Sequence, residues 1–221
     1  MRIAPVNAFT PRARLPGLDA LLSRRSLSPR LLVEPAPAGE DLAAILDAAV
    51  CAPDHGDLRP WRFVLVAGEA RTRLGEVFAR ARALREPGVS EAELEKERRK
   101  PLRAPLVVLV AVVLDPANTK IRIVDRVLAA GAAAMNILNA AHMLGYAGMW
   151  LTGNNSHDPN VKRALGLDPQ DEIVGSLYLG TAGEAPKPKD RPRGLDLAIR
   201  WERDLTPDGT APLAGTGRFN F

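Results

Sequence analysis

The run from Val127 to Gly153, VLAAGAAAMNILNAAHMLGYAGMWLTG, constrains this chain more than any other stretch. Its first part is nearly continuous Ala, Leu, Ile and Met, interrupted by Gly131, Asn136, Asn139 and His142, with no proline. Such residues favour a helix, and a helix apolar all round belongs inside a protein, covered on every side. At about sixteen to eighteen residues it stands near the lower limit for crossing a bilayer. The small side chains of Ala130, Gly131, Ala132, Ala133 and Ala134 point instead to close packing against another backbone, in the same chain or in a partner. Gly145 is placed to end the helix. GMWLT then reads as a short buried strand and GNNS as the loop after it. The strand end, Trp150, Leu151, Thr152 and Gly153, is a natural place for a ligand.

A core of this kind needs a domain around it, and 221 residues with 46% hydrophobic content suffice for one. The formal charge of +4 is modest, and basic residues are scattered among acidic ones. That pattern suits a small anionic ligand and gives poor support for nucleic acid. One cysteine, Cys51, excludes an internal disulfide framework and fits a reducing, cytoplasmic setting. Its neighbours include no obvious base, so a buried, inert thiol is expected. The N-terminal residues lack the apolar region of a secretory signal. Neither a membrane nor a nucleic acid is expected as a partner.

Taken in order, residues 1–16 carry three prolines and read as an irregular arm. Leu18 to Ser23 forms a short helix ending in Arg24-Arg25-Ser26, and Pro29, Pro35 and Pro37 make an extended link. A second helix runs from about Glu40 to Val50, with Leu42, Ile45, Leu46 and Ala49 on one face. CAPDHGDLRPW is a loop, and RFVLV the first clear strand. From Gly68 to Arg103 the pattern is helical, polar and solvated, two helices joined around Glu86-Pro87-Gly88. APLVVLVAVV is a strand buried on both faces. Asp115 to Thr119 is a turn, Asp158 to Gly166 a short helix, and EIVGSLYLG a fourth strand. The tail from about residue 182 is rich in proline and glycine, with one short helical stretch. The elements are interleaved without a regular βα repeat, which predicts a single α+β or three-layer domain.

Four constellations could carry chemistry. Arg24, Arg25 and Ser26 place two guanidiniums and a hydroxyl where they could hold a phosphate; arginines at a helix end also serve simply to offset its dipole. Asp54, His55 and Arg59 sit in a proline-framed loop that could meet a polar ligand or form an Asx turn with a solvated histidine. Trp150 to Gly153 offer backbone N–H groups beside a glycine that a flat ring could approach, although a core tryptophan has the same appearance. Lys189 and Arg191 fall on one side of an extended segment, which suits a phosphate or a solvated tail. His142 reads as a core residue and His157 as a loop cap. No GxGxxG, GxxxxGK[ST], HExxH or CxxC motif is present, so the common dinucleotide, P-loop and zinc sites lack support.

These stretches together, LLSRRSLSPRLLVEPAPAGEDLAAILDAAVCAPDHGDLRPWRFVLV, RAPLVVLVAV, AAGAAAMNILNAAHMLGYAGMWLTG and EIVGSLYLGT, resemble the nitroreductase family of FMN-dependent oxidoreductases, most closely its small YdjA-like branch. The resemblance covers roughly Leu18 to Thr181. It implies an α+β, three-layer sandwich with a mostly antiparallel sheet, and a homodimer built on long central helices with FMN at the subunit interface. By this likeness Arg24, Arg25 and Ser26 hold the FMN phosphate, supplemented by the K-x-R of Lys189 and Arg191. His55 contacts the flavin from the same subunit and Cys51 lies near it. Trp150, Leu151, Thr152 and Gly153 come from the other subunit and lie along the ring. The implied activity is hydride transfer from NAD(P)H to nitroaromatic or quinone-type acceptors in a ping-pong cycle, with no side chain acting as nucleophile. A dehalogenating, flavin-consuming or azoline-oxidising branch of the same fold is an alternative, as is a non-enzymatic FMN-binding module.

Overall fold

A computed structural model describes residues 16–117, 120–187 and 189–198. The arm expected before residue 16, the last two residues of the turn at 115–119 and the tail beyond residue 198 lie outside the described residues. Of the described residues, those up to Pro186 make one compact unit, and those from Lys187 belong to a second, which holds a 3-10 turn at Gly194–Leu197.

Apolar alternation builds the centre of the first unit. Strand β3 (Leu106–Val112) is buried at all seven positions. Its Val108, Val110 and Val112 face one layer, while Val107 and Leu109 face the other. It pairs antiparallel with β2 (Trp61–Ala67) on one side and β5 (Glu172–Ala182) on the other. β5 also pairs with two short strands, β1 (Leu32–Val33) and β4 (Ala147–Leu151), both antiparallel. The sheet order is β1-β5-β3-β2, with β4 also paired to β5.

Helices cover both faces. On one lie α2 (Gly39–Val50) and the central α5 (Ile123–Met143), whose Ile45, Ala49, Ala130, Ala133, Ala134 and Ile137 pack on Val108 and Val110. On the other lie α3 (Ala70–Arg85), α4 (Glu91–Arg98) and α7 (Pro159–Ala164), with Leu74, Phe78, Ala81 and Val161 against Val107 and Leu109. This is the expected α+β three-layer sandwich with an antiparallel sheet. Local chemistry sets the helix ends. Ser90 caps α4 by accepting from the Glu93 N–H, the first half of a capping box. Asp158 caps α7, accepting from the N–H groups of Asn160 and Val161, with Pro159 in the first turn. Gly145, at φ +88°, lets Tyr146 N–H reach back to Ala141 O at 2.9 Å and closes α5.

Several expectations need correction. The central helix has 21 residues and starts at Ile123, because the polar Arg122–Asp125 pair organises its first turn. It is not covered on every side: Ile123, Val124, Leu128, Met143 and Leu144 are exposed. By length and composition alone α5 would pass as a membrane span, but its other flank is the core of the sandwich. β4 is half-buried rather than buried, since it lies at the sheet edge. GNNS is a helical turn, α6 (Asn154–His157), and not a loop. The extended link after Ser28 contains β1 and a 3-10 turn, and EIVGSLYLG is the fifth strand.

Candidate functional site

Two cavities open at opposite ends of β4. The first is formed where α1 (Pro16–Ser23) delivers the chain to the sheet edge. Ser26 makes a parallel bridge with Gly148, and Leu27 N–H donates to Gly148 O at 3.1 Å. Gly148 permits the close approach of its surroundings: a Cβ there would lie 2.9 Å from Tyr178 O and 2.7 Å from Leu179 Cδ2. The bridge sets Arg24 and Arg25 over a cavity of about 210 Å³ together with Ser23, His142 and Gly145 to Gly148. The two arginines play different parts. Arg25 Nη1 donates to the carbonyls of Leu22, Ser23 and Arg24 at 2.9, 3.1 and 3.1 Å, closing the end of α1. Arg24 lines the cavity, half-buried.

His142 corrects the sequence reading. It is half-buried at the cavity wall and not in the core, with Nε2 3.2 Å from Ser23 Oγ. The signal was its i, i+4 spacing from Leu138, which lines the same cavity.

The second cavity, about 140 Å³, lies at the other end of the strand. Leu151, Thr152 and Gly153 line it with Phe78, Lys100, Arg103, Asn155 and Tyr178. A Cβ built on Gly153 would meet nothing within 4 Å, so the backbone there is open to a flat ligand. Trp150 turns the other way. Its Nε1–H donates to Val174 O at 3.3 Å, and its ring covers Gly175, where a Cβ would stand 2.1 Å from Nε1. Trp150 thus lies half-buried on the α5 side of the sheet.

Lys100 and Arg103 escaped the sequence reading because they end a run read as solvated. The signal for them is their place, directly before the buried β3, where a basic residue has little room to avoid the core. Glu97, nearby, is buried and held by Lys100 Nζ at 2.6 Å to both oxygens, Arg82 at 3.2 Å and Asn155 at 2.9 Å. Burial pushes the Glu97 carboxyl up, but Lys100, Asn155 and Arg82 outweigh it and hold it below its usual range. Burial pushes the Tyr178 phenol up to about 12, so it stays protonated.

The 51–61 loop sits elsewhere. Arg59 N–H donates to Asp54 Oδ2 at 2.6 Å, and Asp57 and Arg59, both with positive φ, pair at 3.2 Å. His55 is exposed beside Asp125, Leu128 and Ala132, on the N-terminal half of α5. The Asp125 carboxyl is held below its usual range chiefly by the Arg122 hydrogen bond, with a small contribution from His55. Cys51 is exposed, contrary to expectation, because it caps α2 at the surface; its Sγ–H donates to Asp47 O. Lys189 and Arg191 belong to the second unit, are exposed, and lie in no strand. Among the described residues no group of three His, Cys, Asp or Glu side chains could hold a metal.

Within one chain Ser26 sits against Gly148, near the start of β4. His55 lies with Leu128 and Ala132, whereas the arginines lie with Leu138 and His142, ten residues or about 15 Å farther along α5.

Comparison with known proteins identifies relatives of the chain. Residues 21–181 match the nitroreductase family. Over 164 residues, 74% of this chain and 87% of the relative, the sequence is 39% identical to an Escherichia coli K12 protein provisionally named NAD(P)H nitroreductase YdjA. Among solved structures, a nitroreductase-like family protein from Bacillus cereus superposes with a TM-score of 0.72 at 24% identity, covering 87% of this chain and 99% of that one. A nitroreductase with bound FMN from Bacteroides fragilis gives 0.63 at 23% identity, covering 85% and 100%.

Proposed function

The chain belongs to the nitroreductase family, and on that premise we propose that it is a cytoplasmic, homodimeric, FMN-dependent oxidoreductase. It takes hydride from NAD(P)H and reduces nitroaromatic or quinone-type acceptors, the two substrates taking turns at one site. The observation that carries this reading is the Ser26–Gly148 bridge. It joins the arginine end of α1 to the strand end through one strand, and Gly148 to Thr152 is four steps, about 13 Å.

The residues present fit the cofactor. Arg24 offers charge-assisted donors at a wall of small residues, and Gly153 leaves open space above backbone. When bound, FMN supplies the hydride-accepting and electron-donating chemistry. Arg24 and Ser26 bind the phosphate, while Arg25 holds the end of α1 that presents them. The N–H groups of Thr152 and Gly153 oppose negative charge at the ring.

The homodimer is supported by the open flank of α5. Ile123, Val124, Leu128, Met143 and Leu144 expose between 44% and 65% of their surface, and Leu18, Leu21 and Leu22 of α1 add to it. An apolar patch of this kind marks an interface. A second copy laid across α5 covers that flank.

The test is an absorbance spectrum of the purified protein, followed by anaerobic addition of NADPH and then NADH. Flavin bands that bleach are expected. A colourless protein that takes up no FMN refutes the reading, and bound flavin that neither nucleotide reduces refutes the reductase.

A further inference from the structure

Basic residues are scattered along the chain, yet the fold gathers four of them around one open cleft. Lys96, Arg99 and Arg103 stand at i, i+3 and i+7 along α4 and the 3-10 turn Pro101–Arg103 that follows it, and so share one face. Arg30 joins them from the 3-10 turn Pro29–Leu31, which leads directly into the pairing of β1 with β5. These four and Leu102, 45% exposed, line a cleft of about 660 Å³, with no acidic side chain among its lining residues. A cation near a helix end ordinarily offsets the dipole. That accounts for Lys96, but not for Arg30, which comes from another element, nor for Arg103, which lies past the end of α4. Among the described residues the Arg30 and Arg103 guanidiniums make no hydrogen bond and no ion pair, although Arg103 is half-buried. Lys96 and Arg99 pair with Glu93 and Glu95 of their own helix, and their side chains stay 66% and 71% exposed. Exposed pairs of this kind are weak, and Glu93 and Glu95 are shared with Arg82 and Arg98.

We propose that this cleft binds a diphosphate, as the free anion or as part of a nucleotide. The proposal does not depend on the flavin reading, since none of the four cations lines the cavity of Arg24. Like charges gathered around one space repel each other, and an anion between them turns that repulsion into attraction. A diphosphate carries several negative charges on two adjacent groups of oxygens. Arginines from two different elements can then each hold a phosphate through paired N–H donors. The volume falls in the range of about 300–1,000 Å³ usual for small-molecule sites, and the exposed Leu102 offers an apolar rest for a base. A nucleic acid calls for a longer basic track, which the modest net charge of +4 and the interspersed glutamates of α4 do not provide.

The experiment titrates the full chain with inorganic pyrophosphate and with ADP in a calorimeter, and follows thermal unfolding of the same samples. Pyrophosphate is expected to bind and to raise Tm. Arg30→Gln and Arg103→Gln should each weaken it roughly tenfold or more, the loss of a charge-assisted hydrogen bond. Arg163→Gln removes an equal charge from α7, outside the cleft, and should change the Kd less than about threefold because distant exposed charges are screened. Arg24→Ala should likewise keep the affinity. ADP that binds more tightly than pyrophosphate assigns the cleft to a nucleotide seated on Leu102, and equal affinities assign it to the free diphosphate. Without ligand, the Arg30 and Arg103 variants should unfold no earlier than the wild type, since they relieve repulsion. A lower Tm in both would make these arginines structural and overturn the proposal. So would pyrophosphate that does not bind, a loss in Arg103→Gln no larger than in Arg163→Gln, or a loss confined to Arg24→Ala. A single-stranded oligonucleotide that displaces pyrophosphate at lower concentration than ADP does would assign the cleft to nucleic acid and overturn it as well.

Discussion

Truncating Arg24 and Arg25 one at a time separates two roles that the sequence presents as one. Arg25 Nη1 is shared among three carbonyls at the end of α1, so its removal acts on the helix. A cation at a helix C-terminus contributes about 0.3–1 kcal/mol, and for a protein of this size that lowers Tm by roughly 1–4 °C. Arg24 lines the cavity beside Gly148. A hydrogen bond to a charged group contributes about 1.5–3 kcal/mol. At 1.4 kcal/mol per decade, Arg24→Ala therefore weakens FMN binding roughly 10- to 150-fold. The assay is flavin fluorescence titration of apoprotein for Kd, with thermal unfolding of the same samples. Arg24→Ala is expected to lose affinity with little change in Tm in the absence of flavin, and Arg25→Ala the reverse. Equal losses of affinity in the two variants would refute the division of labour, and full affinity in Arg24→Ala would refute the phosphate assignment.

Further outcomes follow from other parts of the fold. Gly75→Ala puts a Cβ 2.3 Å from Arg98 O, backbone against backbone, so α3 and α4 must part; a cost of about 1–3 kcal/mol is expected in urea unfolding, and an unchanged midpoint would count against that packing. Glu97 and Asp158 both titrate below their usual range: burial pushes each up, but Lys100, Asn155 and Arg82 for Glu97, and Arg85 with two backbone N–H groups for Asp158, pull each further down. Because the folded values lie below the unfolded values of about 4, their stabilisation is complete above about pH 5 and is lost as pH falls through the folded values. Tm should hold from pH 7 to about 5 and fall below about 4, less steeply in Glu97→Gln; identical slopes would show that the Glu97 clamp does not contribute. Leu128→Glu places a charge on the most exposed apolar residue of α5, 65% accessible, and light scattering should find monomers that have lost flavin. A dimer that persists would place the interface elsewhere.

The layered architecture was legible because β3 is apolar at all seven positions, a pattern that only a strand covered on both faces requires. Ile45 and Ala49 carried the helical period of α2 in the same direct way. The short β1 was not legible, since Leu32 and Val33 lie among prolines and become a strand only by pairing with Thr181 and Ala182. At the candidate site, Arg24 to Ser26 and Leu151 to Gly153 could be chosen by residue type, but Lys100, Arg103 and Tyr178 could not. Their neighbours come from β4, α3 and β5, far apart in the chain.

Periodicity and turn chemistry act over a few residues, and so the chain by itself determined its elements, its helix ends and the apolar weight of α5. Which flank of α5 is open, which arginine caps a helix and which faces a cavity, and that Trp150 packs while Gly153 stays open were decided by tertiary structure alone. Each depends on contacts between segments distant in sequence, and a side chain's burial and partners exist only once those segments have met.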